Sequence, residues 1–334
     1  MPATIPRVGV PSGTARRVLI FDTSGINRLA DDTDSSCLVA GLSAAFTCRL
    51  AGTSVDEIVA TASRSRRHQL LCLCRRLLST GDCMQPHQVL LETLLAHHSK
   101  NPSFNWKTID VSFSDYENEI ARLEIIDDKL ASEQREHLVG SQSEFAKVFD
   151  DARPHFDKLF QGRNETRPAS FQELVAALQA EGGAFWSFGI GLYQAATKTA
   201  PDEQTIHKVI DDCPPFRALL LALCVAQFDR CIKCPNTGPS LRAGRYDLFM
   251  SVFLPYCDKF ITADERQRRC LVEVSSVGKL NVEVCSYDDF RASFSIFGGP
   301  RGLQRPDTKA LAATDRGIVD TDESPKVPSA KSVR

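Results

Sequence analysis

The sequence predicts an α/β fold with a central, mainly parallel sheet, interrupted by a long helical insertion. Three observations lead there. The short apolar runs "RVLIF" and "KFIT" each give way at once to polar residues and a helical pattern, as expected of strands buried on both faces. Strand and helix patterns alternate at both ends of the chain, which favours a parallel sheet covered by helices. Between about 107 and 232, strand signals are few beyond "TIDVSF".

The first 16 residues are rich in Pro, Gly and Thr and are expected to be flexible. "RVLIF" follows and ends in "DTSG". "SVDEIVATASRSRRHQLLCLCRRLLSTG" has helical spacing, with Ser54 and Glu57 as a capping box and Gly81 as its stop. "PHQVLLETLLAHH" opens on Pro86, which suits the first position of a helix. Ser114 and Glu117 form a second box before a charged helical stretch that runs toward Phe149. Ser170 and Glu173 form a third before "FQELVAALQA", which Gly182 and Gly183 terminate. "PPFRALLLALCVAQFDRCI" reads as a buried helix. Then come "RYDLFMSVFLPYC" as helix, "KFIT" as strand, "DERQRRCLVEVSS" as helix and "NVEVCS" as strand. The expected α/β domain therefore comprises 17–106 and 233–297, with 107–232 inserted. Residues 298–334 are Pro-, Lys-, Asp- and Ser-rich and read as a disordered tail.

The 334 residues are 43% hydrophobic, enough for a substantial core, and the formal net charge is -2. The molecule as a whole is therefore no basic glue for nucleic acid, and any such contact rests on a local patch. The opening residues lack the apolar core of a signal peptide, and no apolar run approaches the ~18 residues of a membrane span. With these features the 12 cysteines indicate a cytoplasmic protein with reduced, mostly buried thiols and no membrane partner. Cys231 and Cys234 make one CxxC, but no second ligand pair follows to complete a zinc site.

The chemistry lies in the carboxylates. Asp22 directly follows the first strand, and Asp264 sits just past "KFIT". In a parallel sheet the C-terminal strand ends share one edge, where open α/β folds place their ligands. Asp247 opens the helix that leads to "KFIT", and Glu92 lies on the helix after Pro86, so both can approach that edge. Clustered carboxylates repel in a low dielectric, and such groups serve to hold a hard cation, Mg²⁺ or Mn²⁺. Each residue also has a plainer role. Asp22 and Asp264 can be helix caps, Glu92 a solvated residue and Thr262 a β-branched strand residue. Glu117 or Glu119 can stand as the fourth ligand instead. Asp258 belongs at the opposite end of its strand. His97 and His98 follow Glu92 by about a turn and read as surface residues. Of the basic residues in "RSRRHQLLCLCRR" and "ERQRR", with Arg242 and Arg245, most suit solvated faces. Arg245, two residues from Asp247, best fits a substrate phosphate.

In order and placement, "VLIFDTSGINRLA", "PHQVLLETLLAHH", "RYDLFMSVFLPYCDKFITADERQ" and "NVEVCSYDDF" resemble the PIN domain. The resemblance covers roughly the first hundred residues and about 240–297. It implies a PIN-like three-layer fold whose acidic quartet falls on Asp22, Glu92, Asp247 and Asp264. The family's neighbouring hydroxyl falls on Thr262, and its small polar residue after the first Asp on Ser24. It implies a Mg²⁺- or Mn²⁺-dependent ribonuclease acting on single-stranded RNA. Asp22, Asp247 and Asp264 would bind metal, Glu92 would bridge or orient water, and Thr262 would hold a water or phosphate oxygen. The interval from Glu92 to Asp247 is far longer than in a compact PIN domain, so the insertion is expected to restrict substrate or to bind a protein partner or inhibitor. Two other readings fit the same acids: a structure-specific DNA nuclease, and a non-catalytic scaffold for protein or RNA.

Overall fold

The first apolar run forms β1 (Arg17–Phe21), the centre of a five-stranded sheet in which every neighbouring pair is parallel. On one side β1 pairs with β2 (Phe46–Ala51), Leu19 opposite Cys48. On the other it pairs with β4 (Lys259–Thr262), Phe21 opposite Ile261. β3 (Cys83–Met84) and β5 (Glu283–Ser286) form the edges, giving the order β3-β2-β1-β4-β5. The computed structural model describes residues 16–101, 105–113, 116–141, 143, 168–180, 184–229 and 245–296. The expected flexible N-terminus up to residue 15, the tail from 297, Gly182–Gly183, the Cys231–Cys234 pair and Arg242 lie outside them.

Alternation along the strands divides the interior into two cores. Leu19, Phe21, Leu50 and Ile261 face one side. They pack against α1 (Thr23–Asp31), α2 (Ser35–Ala45), α3 (Gly52–Val59), α4 (Arg64–Leu77), Ile120 of α6 (Tyr116–Glu124) and Phe290 of α14 (Tyr287–Ile296). Ile20, Ala51, Met84 and Phe260 face the other. There they meet α5 (His87–Lys100), α8 (Phe171–Ala180), α9 (Ala184–Thr197), α10 (Glu203–Asp212), α11 (Pro214–Phe228), the 3-10 turn Met250–Tyr256 and α13 (Glu265–Val277). Two further helices, α7 (128–141) and α12 (Arg245–Phe249), complete the described set. The protein is thus an α/β sandwich with helices on both sides of a parallel sheet. Helices α8 to α11 of the 107–232 segment share one core with the sheet, whereas α6 lies on the opposite face. No helix among the described residues is long and apolar enough to cross a membrane.

Several local expectations are revised. "FTCRLA", at which no strand was expected, forms β2. Arg49 is accommodated because its Nη2 donates to Asp82 Oδ2 at 2.7 Å. "TIDVSF" supplies one antiparallel bridge, Ser112 to Met84, rather than a strand. The long helix expected after Ser54 is two helices, with α4 capped by Ser63 Oγ, which accepts from Arg66 N at 3.3 Å. Ser54 is not a cap: α3 begins at Gly52, and the Ser54 hydroxyl is buried 3.9 Å from Met250 Sδ. The charged stretch after 114 breaks between α6 and α7, and Ser114 itself is outside the described residues. "RYDLFMSVFLPYC" is α12 followed by the 3-10 turn. At the third box Ser170 Oγ accepts from Glu173 N as expected, whereas the Glu173 carboxylate accepts from Ala169 N, one residue before the cap.

Candidate functional site

The strand order reverses beside β1. From there the chain builds leftward through β2 and β3, then returns to start rightward at β4. The crevice at the C-terminal ends of β1 and β4 is a topological switch point, the usual ligand position in open parallel sheets. Asp22 and Thr262 stand there, each buried directly at the end of its strand.

Asp22 is only 4% exposed. Its carboxylate accepts from Gly25 N at 2.6 Å, which caps α1, and lies 2.8 Å from Thr262 Oγ1. Ser24 Oγ is 2.9 Å from both Asp22 oxygens and itself accepts from Ala263 N and Asp264 N. Thr262 Oγ1 is also 2.8 Å from Gln267 Oε1. A single hydroxyl proton serves only one of these two acceptors. Burial is the dominant influence on Asp22 and raises its pKa from 3.8 to about 7. The bonds from Gly25, Thr262 and Ser24 oppose that rise, and the charge of Asp247 adds to it.

A second carboxylate behaves alike. Glu57 on α3, half-buried, accepts a hydrogen bond from Thr23 Oγ1. Burial raises it from 4.5 to about 7, the Thr23 bond opposes this, and the charges of Asp247, Asp22 and Asp56 reinforce it. Because α3 starts immediately after β2, its first turns lie at the same sheet edge as Asp22. Asp247, in the first turn of α12, acts electrostatically on both acids. Asp22, Glu57 and Asp247 therefore form one interacting acidic group.

Of the expected quartet, Asp22 and Asp247 belong to this interacting group. Glu92 is exposed on α5, where it accepts from Gln88 Nε2 at 3.0 Å. Glu57, which the sequence did not single out as a ligand, stands in the group instead. Glu119 is no substitute, being paired with Arg122 on its own exposed helix face. Asp264 sits at the rim. Its backbone N–H reaches Ser24 Oγ and Thr262 Oγ1, while its Oδ1 accepts from Arg266 N and Gln267 N and caps α13. Asp258 lies at the far end of β4, accepting from Val18 N. His97 is exposed but His98 is buried, edge-on to Tyr193. Arg245 is the first residue of α12. Much of the remaining basic charge is matched within the fold: Arg66 binds Asn27 and Asp31, Arg67 binds Asp128, and Arg268 and Arg269 bind Glu265.

Gly25 belongs to the same construction. A Cβ there would stand 2.8 Å from Ile261 O and 3.1 Å from Asp22 Oδ1. Gly25→Ala is expected to cost about 1–3 kcal/mol, as overpacking does elsewhere, and to lower the melting temperature measurably. An unchanged melt would mean that α1 and β4 can separate freely at this point.

The donors of the acidic group are all oxygens, which suits a hard divalent cation. Among the described residues, only His68, Cys72 and Glu124 place three ligand atoms within 4.8 Å of one another. The acidic group is more widely spaced than that. No family model, no curated protein and no solved structure matches the chain.

Proposed function

We propose that the chain is a PIN-like nuclease, dependent on Mg²⁺ or Mn²⁺, that hydrolyses phosphodiester bonds in single-stranded RNA. The observation that carries this reading is Asp22. A chain has little reason to bury a carboxylate at the switch point, where its ionisation is opposed, and to set Asp247 and Glu57 against it, unless a cation restores the charge balance. The sequence resemblance to PIN domains favours RNA.

Asp22, Glu57 and Asp247 would hold the ion. Mg²⁺ takes only one or two carboxylates directly, with water and substrate phosphate completing its shell, so a spacing wider than 4.8 Å is compatible with it. The bound ion supplies Lewis-acid polarisation of the phosphodiester and activation of water. Thr262 and Ser24 orient Asp22 through hydrogen bonds. Asp264 fixes the start of α13 through Oδ1 and adds negative charge at the rim. Arg245 is assigned the substrate phosphate, and the helices of 107–232 restrict access or receive a protein partner.

The test is a panel of labelled single-stranded RNA, single-stranded DNA and DNA flaps, with and without Mn²⁺. Cleavage of RNA that requires the ion is expected, with loss in Asp247→Asn. Cleavage of flaps alone would replace RNA with DNA as substrate, and binding without cleavage would make the protein a scaffold. Asp264→Asn is expected to reduce cleavage by about tenfold or more, as loss of a supporting carboxylate does. Its melting temperature should be unchanged, because Asn caps helices as well as Asp. Undiminished cleavage would leave Asp264 as a cap alone.

A further inference from the structure

A second cluster lies away from the acidic group, on the face of the sheet covered by α4. His68 and Cys72 are four residues apart on α4 and therefore share one side of the helix. Their Nε2 and Sγ atoms are 3.5 Å apart. Glu124, the last residue of α6, closes the group, with all three ligand atoms within 4.8 Å of one another. Its side chain is 9% exposed. Oε2 meets Arg75 Nη1 at 3.2 Å, but Oε1 is fully buried with no hydrogen-bond partner. An oxygen so placed is costly to bury, the more so when charged, and a cation beside it removes that cost.

We infer that His68 Nε2, Cys72 Sγ and Glu124 Oε1 form a zinc-class site that ties α6 to α4, with solvent in the fourth position. The separation of His68 Nε2 and Cys72 Sγ agrees with tetrahedral ligation. Zinc bonds of about 2.05 Å to nitrogen and 2.3 Å to sulfur at the tetrahedral angle put the two atoms about 3.5 Å apart, the separation in the structure. Glu124 offers a carboxylate oxygen within 4.8 Å of both atoms for the third corner. The donor set of imidazole, thiolate and carboxylate selects a borderline-soft ion rather than Mg²⁺ or Mn²⁺. On binding, the Cys72 S–H proton passes to solvent as the metal–sulfur bond forms. Thiolate and carboxylate then balance the divalent charge, while Arg75 stays on the other carboxylate oxygen. The exposed edge of His68 gives solvent its access. Ile120 of α6 already shares a core with α4, so the ion reinforces an existing contact between α4 and the first helix of the 107–232 segment.

The full-length chain, stripped of metal and kept reduced, is titrated with Co²⁺ and followed by absorption. One equivalent should produce a thiolate-to-Co²⁺ charge-transfer band, which Zn²⁺ then abolishes by displacement, and Zn²⁺ should raise the melting temperature. Co²⁺ at the oxygen-only acidic group gives no such band, so the two sites are distinguished. Cys72→Ser should remove the band, and His68→Gln and Glu124→Gln should each weaken Co²⁺ binding at least about tenfold. The Cys231→Ser, Cys234→Ser double variant should retain it. His68 is exposed, so its variant remains informative even if Cys72→Ser folds poorly. A band that persists in Cys72→Ser, Co²⁺ binding without a thiolate band, or undiminished affinity in His68→Gln would overturn the assignment.

Discussion

Asp22→Asn is expected to lower metal-dependent cleavage by about 100-fold or more and, in the absence of metal, to make the protein more stable at neutral pH than the parent. Both effects come from the same burial. In the unfolded chain the Asp22 carboxyl ionises at its ordinary value, 3.8, whereas in the native protein it stays protonated up to about 7. Below about pH 4 both states are protonated and the group costs nothing. Between about 4 and 7 the unfolded state releases its proton first, so native stability falls as pH rises, and above 7 the loss is constant. For Asp22 alone the full loss is about 4 kcal/mol at most. Asn removes that fall and keeps the local bonds. Its oxygen can accept from Gly25 N, and its amide can donate to Thr262 Oγ1, leaving the Thr262 proton for Gln267 Oε1. Glu57 still contributes its own descent between about pH 4.5 and 7, reduced by loss of the Asp22 charge. Thermal melts across pH 4–8 in chelator separate the two. At neutral pH, Mn²⁺ should raise the parent's melting temperature more than the variant's, because the ion stabilises only the state that binds it. A metal-free parent whose stability does not fall across this range would contradict the burial argument.

Glu57→Gln and Glu92→Gln are expected to differ sharply. Glu57→Gln should lose about 100-fold or more in cleavage, since it removes a charge that interacts with both Asp22 and Asp247 while keeping an acceptor for Thr23. Glu92→Gln should cut like the parent, because Glu92 is exposed and engaged with Gln88. Initial rates of both purified variants on one RNA substrate decide the matter. The reverse order would place the catalytic carboxylate on α5 and dismantle the site described above.

What the sequence made visible depended on how local each signal was. β1 and β4 were legible because their residues are buried on both faces, which leaves a continuous apolar run, and because each is followed by a polar turn. β2 was passed over although its apolar and polar residues alternate; Arg49 within it is paired by Asp82, 33 residues away. β3 is two residues long and has no pattern to detect. Glu57 was concealed by its spacing from Ser54, which imitates a capping box. What rules the box out is the burial of Ser54 beside Met250, a contact across 196 residues. A helix pattern likewise fixed that Glu92 lies on a helix, but not which helix begins at the switch point. That Asp22 and Thr262 stand at strand ends and Asp247 at a helix start was legible because these are local features, whereas the contact of Thr262 Oγ1 with Asp22 and the influence of Asp247 on it depend on the folded chain.

The most direct test of the acidic centre is anomalous diffraction at the manganese edge from crystals of the full chain grown with Mn²⁺. The account predicts an anomalous peak in the crevice between β1 and β4, bound by Asp22 and, directly or through water, by Glu57 or Asp247. A crevice without such a peak at saturating Mn²⁺, with ions only at other carboxylates such as Glu92, would contradict it.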